Sequence, residues 1–166
     1  MRRRASSGAT TGQPNAYDKA LGLLARREHS ARELKSKLAQ RGLDAEESAK
    51  ALAQLKEKNY QSDARFGDML VRSRLEGGYG ERWIIAELRT HGIAEAKARE
   101  LIEAAEPDWP ELIQRQLRRR YGSKRPKDLA ERNKRAAFLL RRGFDASTVK
   151  LVTRAEGFDE TADESD

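Results

Sequence analysis

The sequence predicts an all-α fold of three tandem three-helix-bundle repeats, and three observations carry that reading. A glycine that ends a helical stretch recurs at Gly42, Gly92 and Gly143, at spacings of 50 and 51 residues. Apolar residues between these glycines follow helical spacing, and no segment shows the strict alternation of a half-buried strand. Composition agrees: 4 prolines in 166 residues, 6% aromatic and 37% charged suit thin helical layers with much surface.

The repeats are defined by position. The residue after each glycine is Leu43, Ile93 or Phe144. Four residues before it stand Leu38, Leu88 and Leu139, and nine after it Ala51, Leu101 and Val152. Eight residues before it the pattern breaks, with Leu34 and Ile84 followed by Arg135. A buried, unpaired arginine is costly, so the middle helix of the third repeat is expected to be rotated or exposed there.

Repeat 1 spans 16–61. Tyr17, Ala20, Leu21 and Leu24 share a helical face, and Ser30-x-x-Glu33 forms a capping box ahead of Leu34 and Leu38. Asp44-x-x-Glu47 opens a third helix, expected to bury Ala49, Leu52 and Leu55. Repeat 2 spans 62–107. Ser62 caps a helix carrying Phe66 and Leu70, Gly78-Tyr79-Gly80 breaks it, Ile84 and Leu88 lead to Gly92, and Ala98, Leu101 and Ile102 complete the unit. Repeat 3 spans 108–155. It opens at the capping box Asp108-Trp109-Pro110-Glu111, with proline tolerated in the first turn. Leu112, Ile113 and Leu117 follow, a long middle helix is expected from near Pro126 to Gly143, and a short last helix holds Val149 and Val152. Segments 1–15 and 156–166 lack periodicity and are expected to be a disordered basic and a disordered acidic tail. A unit of about 50 residues buries little surface alone, so neighbours should share core in an elongated, curved molecule.

Composition also limits the chemistry. Without cysteine there is no disulfide and no thiol catalysis. His29 and His91 flank helix ends with no partnered nucleophile, and no phosphate-binding loop, dinucleotide fingerprint or zinc-protease motif occurs. Neither a catalytic residue nor a cofactor or metal is expected. No apolar run approaches the ~20 residues of a membrane span, and a cytoplasmic protein is expected. Glu33 and Glu87 read as ion partners on helix surfaces.

Charge supplies the functional signal. Of the net +7, residues 108–143 carry +8, whereas residues 155–166 carry −6. Such crowding of like charge is self-repulsive without a partner. The candidate contact residues are Arg118, Arg119, Arg120, Lys124, Arg125, Lys127, Arg132, Lys134, Arg135, Arg141 and Arg142. A smaller set, Arg26, Arg27, Arg32, Lys35 and Lys37, lies in repeat 1. Tyr79, Trp83 and Tyr121 are expected to pack at helix ends rather than stack on bases, and Trp109 to pack on the preceding unit.

Several stretches in order resemble the RecX family of bacterial regulators of the RecA recombinase. They are Ala20-Leu21 to Leu24 with Arg27; Ser30-x-x-Glu33-Leu34-x-x-Lys37-Leu38-x-x-Arg41-Gly42; and Tyr60-x-x-Asp63-x-Arg65-Phe66. Gly80-x-x-x-Ile84-x-x-Glu87-Leu88-x-x-x-Gly92-Ile93 and Phe138-Leu139-x-Arg141-Arg142-Gly143-Phe144 complete the set. The resemblance runs from about Ala16 to Arg154. It implies curved stacks of three-helix repeats that bind the RecA–DNA filament and lower its ATPase, strand-exchange and coprotease activities, by blocking growth or promoting disassembly. It thereby implies a modulator of DNA repair, recombination and the SOS response; weak contact to single- or double-stranded DNA is expected, and, since nothing resembles a coiled-coil heptad, a monomer. The competing reading is a direct, sequence-independent DNA-binding protein, since three-helix units superficially resemble helix-turn-helix modules.

Overall fold

The structure, a computed structural model, describes residues 15–158; the basic segment 1–14 and the acidic segment 159–166 lie outside it. Nine helices and no strand occur among the described residues. They are α1 (Ala16–Leu24), α2 (Ala31–Gln40), α3 (Ala45–Glu57), α4 (Asp63–Glu76), α5 (Glu81–Thr90), α6 (Glu95–Ala104), α7 (Trp109–Tyr121), α8 (Leu129–Arg141) and α9 (Ala146–Ala155). Within each triplet the three helices pack on one another.

The starts of α2, α3 and α7 follow the expected side chains, and α1 finds a cap in Asn15. Asn15, Ser30, Asp44 and Asp108 each accept a hydrogen bond from a backbone amide two or three residues on, satisfying donors that an open helix end leaves orphaned. Asn15, read from sequence as part of the tail, is thus the N-cap of α1. Helix ends repeat more closely still. The amide of Leu43 donates to Leu38 at 3.2 Å, that of Ile93 to Leu88 at 3.1 Å, and that of Phe144 to Leu139 at 3.3 Å. Gly42, Gly92 and Gly143 each donate to the carbonyl three residues back and lie at φ of 75°, 81° and 89°. This is the Schellman closure, with its apolar contact formed by the paired residues that define the repeats in sequence.

Two local expectations are corrected. In α3 Ala49 is exposed and Ser48 is buried instead, beside Ala51 and Leu55. The helix turns its small residues inward because α1 meets it through Ala16 and Ala20, both fully buried. The middle helix of repeat 3 begins at Leu129 rather than near Pro126. Asp128 caps it by accepting from the Glu131 amide at 2.7 Å, and Glu131 reaches back to the Lys127 amide at 3.0 Å. Asp128-x-x-Glu131 has the spacing of a capping box, readable in sequence, with Glu131 accepting from the residue before the cap.

The described residues form two compact units, 15–62 and 63–158. In the first, the core is small and alanine-rich: Ala16, Ala20, Leu38, Ala51 and Leu55, flanked by Tyr17, Leu21, Leu24, Leu43 and Leu52. In the second, repeats 2 and 3 bury one continuous core, from Phe66 and Leu70 in α4 to Val149 and Val152 in α9.

A backbone seam joins repeats 2 and 3. Gly80 is the N-cap of α5 and has no side chain to cap with. Instead its amide donates to the carbonyl of Arg142 at 2.8 Å, and the Arg82 amide donates to Gly143 at 3.1 Å. The carbonyl end of α8 therefore caps the amide end of α5, partial charge against partial charge. Neither glycine can carry a side chain here. A Cβ on Gly80 would lie 2.2 Å from the Phe144 nitrogen, and one on Gly143 would lie 2.5 Å from the Trp83 nitrogen. The Gly78-Tyr79-Gly80 break is thus the docking point of the next repeat. Trp109, expected on the preceding unit, packs against the core that repeats 2 and 3 share and meets Phe144 edge-on at 6.2 Å.

Gly80→Ala is expected to destabilise residues 63–158 by about 3 kcal/mol, because the obstructing atoms are backbone. Gly22→Ala, with open space at its Cβ site in α1, should stabilise by about 0.5–1 kcal/mol. Urea denaturation followed by circular dichroism compares the two.

Candidate basic docking surface

The last turn of α7, the connecting loop and the outer face of α8 carry the basic excess. α7 ends in Arg118, Arg119 and Arg120, three cations that suit the negative end of its dipole. Successive residues advance by about 100°, so the three fan around the helix. Gly122, at φ 70°, turns the chain out of α7. Lys124, Arg125 and Lys127 then project from the loop, all exposed, around a buried Pro126.

The candidates divide sharply in their surroundings. Arg119, Lys124, Arg125, Lys134 and Arg141 are exposed with no acidic side-chain partner among the described residues, whereas Lys127 is exposed beside the Glu131 carboxylate. Arg118 is exposed but bound to Glu111 at 2.7 Å. Arg120 lies over the Phe138 ring at 4.4 Å, and Arg132 over the Phe158 ring at 4.6 Å. Arg142 is half-buried in the seam, 4.6 Å over Tyr79 and hydrogen-bonded to Gln116 at 3.4 Å. It is a packing residue there. Tyr79 stacks on Trp83 at 4.2 Å, with Arg74 over the far ring at 6.0 Å. Arg115, exposed one turn before Arg119, belongs to the same face and was missed; its i, i+4 spacing was the available signal.

Arg135 is the principal correction. Its side chain is 1% exposed, so it is no docking residue, and α8 is not rotated. Arg135 occupies the same core position as Leu34 and Ile84, which are fully buried. Partners make this tolerable. The guanidinium donates to the Lys124 carbonyl at 2.9 Å and to Glu131 at 2.8 Å. It lies 3.7 Å from Glu156 and 4.5 Å over the Tyr121 ring. The hydrogen bond from Arg135 and that from the Lys127 amide hold the Glu131 carboxyl below the usual range. Burial pushes Glu156 up against the pull of Arg135. Glu156, read from sequence as the start of a tail, is the C-cap of α9. One side chain therefore ties the basic loop to α8 and to the end of α9.

In repeat 1 two of the smaller basic set, Arg27 and Lys37, meet one carboxylate. Glu33 binds Arg27 and lies 3.7 Å from His29 and 3.9 Å from Lys37. Burial works to raise its carboxyl, but the Arg27 hydrogen bond and the charges of His29, Arg27 and Lys37 hold it below the usual range. Arg26, Arg32 and Lys35 are exposed. In repeat 2 Glu87 makes a bidentate pair with Arg74 at 2.6 and 2.7 Å, which raises the arginine further. Among the described residues no group of three or more acidic, histidine or cysteine side chains could hold a metal. Nor is any helix there long and apolar enough to cross a membrane.

Comparison with known proteins follows the same tripartite plan. Models of the first, second and third three-helix domains of RecX match residues 16–55, 62–105 and 106–152. The regulatory protein RecX of Stenotrophomonas maltophilia (strain R551-3) is 46% identical over 136 residues, covering 82% of this chain and 83% of the relative. The chain belongs to the RecX family. Its namesake from Xanthomonas campestris pv. campestris (strain B100) is 44% identical, covering 82% of this chain and 84% of the relative. The crystal structure of RecX from Lactobacillus salivarius shares the fold, with TM-score 0.68 at 19% identity over 85% of this chain and 94% of that one. A second crystal structure of regulatory protein RecX gives 0.72 at 22% identity, over 84% and 70%.

Two outcomes are expected. Arg135→Leu should cost about 2–4 kcal/mol, since it strands Glu156 and the Lys124 carbonyl, and adding Glu156→Gln should recover part of that loss in urea denaturation. Glu33, with its folded pKa depressed, contributes stability above its unfolded pKa of about 4.3 and loses it as pH falls through the folded value. The stability gap between wild type and Glu33→Gln, measured from pH 6 to pH 3, should therefore close on the acid side.

Proposed function

We propose that this protein is a non-enzymatic cytoplasmic regulator of the RecA recombinase. It binds the RecA–DNA filament as a monomer and lowers ATP hydrolysis, strand exchange and coprotease activity. It does so by blocking filament growth or promoting disassembly, and so modulates repair, recombination and the SOS response. Family membership supports the partner. The observation that carries the contact is the exposed set Arg119, Lys124, Arg125 and Lys134 at the α7–α8 end of repeat 3, with Lys127 exposed beside Glu131. Lys127 and Lys134 line a common open groove of about 530 Å³ with Tyr121, Asp128 and Glu131, so its charge is mixed. Such a surface meets phosphate backbone, acidic protein surface, or both.

Direct, sequence-independent DNA binding is the second reading, favoured by those same exposed loop cations. Salt separates the two: binding to bare DNA by phosphate contacts alone falls steeply with ionic strength.

The test uses RecA filaments on single-stranded DNA. Substoichiometric wild-type protein should lower ATP hydrolysis and shorten filaments; unchanged rate and length refute the reading. Combined Arg119→Glu, Lys124→Glu, Lys127→Glu and Lys134→Glu should weaken filament binding by roughly tenfold or more, with unchanged thermal unfolding, since exposed substitutions cost little. Full inhibition by that variant would move the contact to Arg26, Arg32 and Lys35 in repeat 1.

A further inference from the structure

Repeat 3 departs from repeat 2 at the gap between its second and third helices. Aligned on Gly92 and Gly143, the residues Glu81, Glu95 and Arg99 of repeat 2 correspond to Arg132, Ala146 and Lys150. In repeat 2 charge spans the gap: Arg99 of α6 binds Glu81 of α5 at 3.0 Å and Glu95 at 2.8 Å. Repeat 3 has neither acid. A second cation stands in place of Glu81 and a methyl group in place of Glu95, so Lys150 has the charge of Arg99 without its carboxylates. Glu103 likewise corresponds to Arg154, one turn on from Lys150.

That gap is open in repeat 3. A groove of about 350 Å³ lies between α8 and α9, lined by Arg132, Lys150 and Arg154 with no acidic residue in its wall. None of the three pairs with a carboxylate among the described residues. Arg132 lies over the Phe158 ring at 4.6 Å, a contact that leaves its charge in place. Between the cations the groove is apolar. Ala136, Ala146 and Val149 line it together with Leu129 and Leu140, which are 54% and 45% exposed. The position of Leu140 is Ala39 in repeat 1 and Arg89 in repeat 2, so the leucine, like the cations, is particular to repeat 3. Three like charges repel one another there, and two leucines stay wet.

We propose that the α8–α9 groove binds an acidic segment of a partner protein. A carboxylate of that segment meets Lys150 as Glu81 and Glu95 meet Arg99 in repeat 2, and an apolar side chain beside it covers Leu129 and Leu140. A phosphate backbone would satisfy the cations and leave the leucines in water, which favours a protein over a nucleic acid. None of Arg119, Lys124, Arg125 and Lys134 lines this groove, so it is a second site on repeat 3. The inference stands on the groove's chemistry and is independent of the RecA reading.

The probe is a short synthetic helix-forming peptide with glutamates along one face and leucines at i and i+4. Added to the full-length ¹⁵N-labelled protein, it should shift the amides of Ala136, Leu140, Val149 and Lys150. Leu140→Ser should weaken binding by about tenfold, and serine for leucine in the peptide should do the same. Arg132→Glu restores the charge arrangement of repeat 2 and gives Lys150 a carboxylate of its own chain. Peptide binding should then fall by about tenfold or more, with unchanged thermal unfolding. Should Arg132→Glu fold poorly, Lys150→Gln/Arg154→Gln, at two exposed positions, should show the same loss. No shift at up to about 1 mM peptide, or shifts centred on Lys124–Lys134, overturn the proposal. Equal binding of the serine peptide also overturns it, by making the groove a charged surface only. A poly-deoxythymidine oligonucleotide that shifts the same groove amides as strongly assigns the groove to nucleic acid. Groove shifts that depend on protein concentration alone assign it to a second copy, and either result overturns the proposal.

Discussion

The carbonyls that end α8 cap the amides that begin α5, and residues 63–158 are arranged around that join. Helix ends ordinarily find partners in nearby side chains or water. Here the two ends satisfy each other, through Gly80 to Arg142 and Arg82 to Gly143. The contact requires two glycines in different repeats, because a methyl group on either would enter backbone. Once made, it sets Phe144 into the shared core and stacks Arg142 on Tyr79. The single core of repeats 2 and 3 thus has a backbone hinge point as well as apolar cover.

Arg135 does for the inside of repeat 3 what the seam does for its edge. A leucine there would fill the space, as Leu34 does in repeat 1. The arginine instead reaches three separate elements: the α7–α8 loop through Lys124, the first turn of α8 through Glu131, and the end of α9 through Glu156. Buried ion pairs are seldom net stabilising. What this one provides is position, since the exposed cations Lys124, Arg125 and Lys127 sit on the loop it ties down.

The positive charge of repeat 3 is consequently of two kinds. Arg135 and Arg142 are structural, held by carboxylates, carbonyls, an amide and aromatic faces. Arg115, Arg119, Lys124, Arg125, Lys127, Lys134 and Arg141 face solvent. Repeat 1 shows the contrast: Glu33 draws Arg27, His29 and Lys37 inward onto one carboxylate. A charge count treats both arrangements alike, yet only exposed, unpaired groups retain a field that a partner meets at close range.

The three-repeat plan was legible in sequence because its determinants are local. A capping side chain bonds an amide three residues away, and Leu38–Leu43, Leu88–Ile93 and Leu139–Phe144 close their turns within six residues. Such contacts depend on spacing along one chain, so glycine and leucine positions report them. The basic character of repeat 3 was legible for the same reason, as a property of composition. Three things depended on groups far apart in sequence. The burial of Arg135 needed Tyr121, Lys124 and Glu156 brought around it; the seam role of Gly80 needed Gly143; and the seating of Arg142 in the seam needed Tyr79 and Gln116. An isolated arginine on a core face reads as an error, because its solvation is lost. Only the tertiary structure supplies the partners that replace that solvation, and with them decides which of the eleven candidate cations are buried or paired and which face solvent.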